Sequence, residues 1–127
     1  MTTNSFNEQR VQVIPSGSIG LDSMSSVDIF GDSRLLENIR TAHETMRIVC
    51  NAGNMTVNKV GDFKGYGTVW FHEGAIANIL SLHRVKQKFR VTYDSDVGDC
   101  FKIHRVDGTH RTFYPTAKGL YLSLIHI

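Results

Sequence analysis

Two cysteines in 127 residues, Cys50 and Cys100, are too few and too far apart to staple a scaffold or frame a zinc site. Without a disulfide framework to maintain, a reduced intracellular compartment is expected. Charge is equally sparse: 14 Lys and Arg against 12 Asp and Glu leave a formal +2, too little to predict a specific nucleic acid as partner. The one basic run, Arg84 to Arg90 (RVKQKFR), alternates with apolar residues and reads as the solvated face of a strand. No apolar stretch reaches the roughly 20 residues of a membrane-spanning helix, so no membrane partner is expected. The start, MTTNSFNEQR, carries no apolar core of the kind a secretion signal needs.

What is present is a 41% apolar fraction in a length suited to one domain with a modest core. Short apolar runs alternate with turn residues, the rhythm of an all-β domain. Strands are expected at Arg10 to Ile14, Ile19 to Asp22, Met46 to Ala52, Met55 to Val60 and Tyr66 to Phe71. Further strands are expected at Ile76 to Leu82, Lys88 to Tyr93, Cys100 to Arg105, Arg111 to Tyr114 and Leu120 to Leu124. Asp107-Gly108 predicts a two-residue hairpin turn. One short helix is expected near 33–40: Asp32 or Ser33 can cap it, and Leu35, Leu36 and Ile39 share a side. The fold class implied is a small closed or partly open β-barrel. Residues 1–16 read as a frayed N-terminal segment with a first strand, 17–124 as the single domain and 125–127 as a truncated end.

Chemistry-bearing residues are few. Asp22 closes the apolar entry Ile19-Gly20-Leu21 and is followed by Ser23. Hydrolysis by carboxylates needs two acids close enough to share a proton, one activating water and the other polarising the carbonyl. A chain with one suitable Asp could supply half of that pair, completed by a twofold dimer. Asp-Ser recurs at Asp32 and Asp94, where a helix cap and a loop explain it, and Asp22 can equally be a turn residue bonding its own backbone. Gly61, Gly65 and Gly67 loosely suggest a phosphate loop, but the strand-like Thr68-Val69-Trp70-Phe71 follows where a helix would be needed. The six histidines, His43, His72, His83, His104, His110 and His126, show no metal-binding spacing. No metal and no cofactor are expected.

Several short motifs occur in a telling order. Leu21-Asp22-Ser23 is followed by Leu35-Leu36, Asn51-Ala52-Gly53-Asn54, Val60-Gly61 and Gly65-Tyr66-Gly67-Thr68-Val69. Then come Asn78-Ile79-Leu80-Ser81-Leu82, Asp107-Gly108 and Gly119-Leu120-Tyr121. In this order the chain, over roughly residues 17 to 124, resembles the protease-like β-barrel domain of copia-type retrotransposon Pol polyproteins, which is retropepsin-related. The resemblance implies Asp22 as the catalytic aspartate, Ser23 as the hydroxyl bracing paired loops across a dimer, and the turn around Gly53 and Asn54 as the substrate flap. It also implies a homodimer, with the rest of the polyprotein as substrate or covalent neighbour. Met24 departs from the family, which has Gly after Asp-Ser, where the backbone passes close to the carboxylates and a Cβ has little room. The thioether is expected to project into or beside the reaction space. The expectation is therefore a persisting scaffold without peptidase activity, the alternative being an active homodimeric aspartic endopeptidase.

Overall fold

The computed structural model describes residues 17–50 and 53–124, with Cys50 and Leu124 described by backbone alone. The strand expected at Arg10 to Ile14, the residues 51 and 52 and His126 lie outside the described residues.

Strand β1 (Ser18–Asp22) is buried along nearly its whole length, so both of its faces are covered. That is why it reads as a continuous apolar run and not as an alternation. After a loop, β2 (Ile29–Phe30) is only two residues long. A single 3₁₀ turn, Ser33–Leu35, follows, and the chain then extends into β3 (Leu36–Cys50) and returns as β4 (Gly53–Phe63). Next come β5 (Gly67–Phe71), β6 (Asn78–Ser81) and helix α1 (Leu82–Lys88). The chain ends in β7 (Arg90–Asp94), β8 (Gly98–His104), β9 (His110–Pro115) and β10 (Tyr121–Leu124).

All ten strands join one sheet in the order β3-β4-β5-β2-β6-β1-β10-β9-β8-β7. The all-β expectation therefore holds, but among the described residues the sheet is open, with β3 and β7 as its two edges. The closed barrel is corrected accordingly: no ladder joins the first strand in the order to the last. β1 runs parallel to β6 and antiparallel to β10, which places the end of β1 at the middle of the sheet. The core below it gathers Ile19, Phe30, Val69, Leu80, Val85 and Phe113.

The helix expected near 33–40 is also corrected. Asp32 does cap a turn, its carboxylate accepting from the Arg34 N–H at 3.0 Å, but the turn is 3₁₀ and stops after Leu35. From Leu36 the backbone is extended because the long pairing with β4 satisfies its N–H and C=O groups, starting at Leu36 opposite Phe63. The helix of this fold is α1 instead, in the run expected to be a strand. Ser81 caps it by accepting from the Arg84 N–H, Val85 is its buried residue, and Lys86 and Lys88 lie in its last turn. The Asp107-Gly108 hairpin forms as expected between β8 and β9, although its loop spans five residues, closed by the Arg105 N–H donating to Thr109 C=O.

Candidate functional site

Asp22 is the last residue of β1, at the point where the central strand leaves the sheet. Together with Ser23 and Met24 it lines a cavity of about 330 Å³, shared with the apolar side chains of Ile79, Phe101 and Leu120. That volume suits a small ligand or a peptide side chain. Asp22 is the one carboxylate among the lining residues. Its Oδ1 accepts the Met24 N–H at 2.8 Å, the self-bonded turn that the local sequence also allowed. Ser23 is exposed.

Met24 does not crowd the acid within its own chain. Its side chain is 91% exposed at the cavity rim. Asn38 is the one non-glycine among the described residues with a left-handed backbone, so residue 24 does not adopt the conformation that would require glycine. Within one protomer Met24 sits beside Asp22 at the cavity rim, where the turn closed by its own N–H leaves it exposed.

The loop from Asp22 to Asp32 is held by a buried polar network that sequence reasoning passed over. Asp28 is 2% exposed. Its Oδ1 accepts the Ser81 N–H at 2.7 Å, and its Oδ2 accepts the Tyr66 hydroxyl at 2.7 Å and faces Arg84 Nε at 3.4 Å. Burial, and then the bond to Asp28, push the Tyr66 hydroxyl well above the usual tyrosine range. The Ser81 hydroxyl donates to Ser25 C=O at 2.7 Å. Asn78 completes the brace: its Oδ1 accepts from the N–H groups of Gly31 and Asp32, and its Nδ2 donates to Ser18 C=O. Residues of the Asn78–Ser81 motif therefore anchor the loop that presents Asp22. The available signal was an acid between Val27 and Ile29, alternating with buried Phe30 on a two-residue period.

A second cluster supports the cavity wall. Asp99 Oδ1 accepts from both Tyr121 (2.7 Å) and Tyr93 (2.8 Å), and these two donors, Tyr121 first, hold its carboxyl below the usual range. Phe101 lies edge-on to Tyr121 with ring centroids 4.8 Å apart, and both rings line the cavity.

Gly53 and Asn54 open β4 beside the tip of the β3–β4 hairpin, and neither lines the Asp22 cavity. His104 and His110 meet across β8 and β9 with rings 5.8 Å apart. No cluster of three or more His, Cys, Asp or Glu suited to a metal occurs among the described residues. Cys100 is a free thiol. Among the described residues no helix is long and apolar enough to cross a membrane.

Compared with family models, curated proteins and solved structures, the chain matches none.

Proposed function

We propose that this chain is the aspartic-protease-like domain of a copia-type retrotransposon polyprotein, a retropepsin-related scaffold whose peptidase activity is lost through Met24. The observation that supports it is the placement of Asp22: the last residue of a central strand, on the wall of a largely apolar cavity, next to an exposed Ser23. One chain offers one such carboxylate, and shared-proton hydrolysis needs two. A second copy related by a twofold axis must therefore supply the other. Bringing two Asp22 side chains within proton-sharing distance also brings two exposed thioethers into the space where a substrate backbone would lie. The β3–β4 hairpin, with Gly53 and Asn54 beside its tip, fits the role of flap.

The alternative is an active homodimeric endopeptidase that processes the polyprotein through paired Asp22. It is favoured by the 91% exposure of Met24 and its unstrained backbone, which leave the loop free to rearrange in a dimer.

One experiment separates the two readings. The full chain, Met24→Gly, Asp22→Asn and the double variant are incubated with a mixed-sequence peptide library at mildly acidic pH, and products are read by mass spectrometry. Loss through Met24 predicts no cleavage by the wild type and cleavage by Met24→Gly that the added Asp22→Asn change abolishes. Cleavage by the wild type that Asp22→Asn abolishes establishes the active homodimer instead. A folded, dimeric Met24→Gly protein that cleaves nothing overturns the role given to Asp22.

A further inference from the structure

A second site, sharing no lining residue with the Asp22 cavity, lies where the β4–β5 turn meets the β8–β9 hairpin. Lys64, Arg105 and Arg111 line it together with the rings of Phe63, Tyr66 and Phe89, and no acidic residue is among its lining. The three cations come from sequence positions up to 47 residues apart (111 − 64), so the fold assembles a cluster that the sequence disperses.

Arg111 is the unusual member. It is half-buried, with its guanidinium 5.9 Å from the Phe63 ring centroid. Its one side-chain hydrogen bond among the described residues is a long one, 3.3 Å to Ser123 Oγ, and no carboxylate among them pairs with it. Buried charges are normally paired, because leaving water is otherwise uncompensated. Here burial and the neighbouring Arg105 both act against the Arg111 charge. Arg105 bonds Thr109 Oγ at 2.9 Å and forms no ion pair within reach, although Asp107 influences it from the turn.

We propose that this cleft binds a phosphate group, one oxygen entering between Arg105 and Arg111 and the others meeting Lys64 at the mouth. The enclosed space, about 30 Å³, holds one oxygen-sized group and not a whole anion, so the ligand sits at the opening. Charge selects phosphate over carboxylate: three cations without an ion pair among the described residues, Arg105 alone being partly offset by Asp107, suit several oxygens carrying more than one charge. A base-stacking platform is not on offer, since the Tyr66 ring is already engaged by Phe89 at 5.9 Å and by Lys88 Nζ at 4.2 Å. The phosphate can be free or part of a nucleic-acid backbone, and the two sources separate experimentally.

The full chain is titrated with inorganic phosphate against chloride at constant ionic strength, and separately with a single-stranded oligothymidylate, by calorimetry or NMR. Arg111→Gln risks unfolding because Arg111 supports the core edge, so the rim variants Arg105→Gln and Lys64→Gln carry the test, with folding checked by circular dichroism. Expected is saturable phosphate binding that each rim variant weakens about fivefold, the loss of roughly one charge-assisted contact. Oligothymidylate binding with the same sensitivity identifies a backbone phosphate; phosphate binding without it identifies a free one. Wild type and rim variants that titrate alike overturn the site, as does glutamate binding as tightly as phosphate.

Discussion

Asp28 shows how one side chain can organise a site without belonging to it. Its two oxygens collect the Tyr66 hydroxyl from the β4–β5 turn and, from the start of α1, the Ser81 N–H and Arg84. A buried carboxylate is tolerated because each of its two oxygens finds a donor. Replacing it by Ala leaves a buried N–H and a half-buried hydroxyl unmatched, a loss of about 3 kcal/mol. Arg84, with a side chain 45% exposed, contributes the smaller part because water can take over its solvation. Urea unfolding of Asp28→Ala against wild type measures this. A midpoint shift no larger than that of Tyr66→Phe, expected near 1 kcal/mol, would show that the network does not hold the loop.

Among the elements, two separate stretches take conformations opposite to those expected of them. Residues 33–40 carry a helical apolar spacing yet lie in a 3₁₀ turn and a strand, and Arg84 to Arg90 alternates like a strand yet is mostly helix. In the first case a partner decided: β4 offers a long ladder, and an isolated turn has little stability of its own. In the second, the cap at Ser81 followed by Arg, Lys and Gln was a legible helix start, outweighed by a short alternation. The junctions between elements are equally tight. A Cβ on Gly31, just after β2, would run into the Ala75 carbonyl oxygen. Gly31→Ala therefore forces β2 away from the loop after β5, with an expected destabilisation of about 2–3 kcal/mol by urea unfolding. An unchanged midpoint would mean that this loop yields freely.

Across the whole molecule, stability is distributed unevenly. β1 and β6 lie mid-sheet with Ile19 and Leu80 almost fully buried, whereas β3 is an edge strand whose register slips between Thr41 and Met46. Hydrogen exchange should reflect this: amides of Ile19 to Leu21 and of Leu80 exchange only through near-global unfolding, and those of 42–45 exchange orders of magnitude faster. Uniform protection along β3 would show that the hairpin is as rigid as the centre. The soft β3–β4 hairpin lies at the sheet edge beside β5, while the central β1 carries Asp22 at its end.

Much of the fold was readable in one dimension because the information there is local. The continuous apolar run ending at Asp22, the Asp107-Gly108 turn and the alternation around Phe101 and Ile103 each follow from neighbouring residues and the period of a strand. Asp22, Ser23 and Met24 could be picked out as a strand-end group for the same reason. The donors gathered by Asp28, the open order of the sheet and the meeting of Lys64 with Arg105 and Arg111 could not be read that way. Each depends on contacts between segments tens of residues apart, where burial and competing hydrogen-bond partners, not local preference, set the outcome.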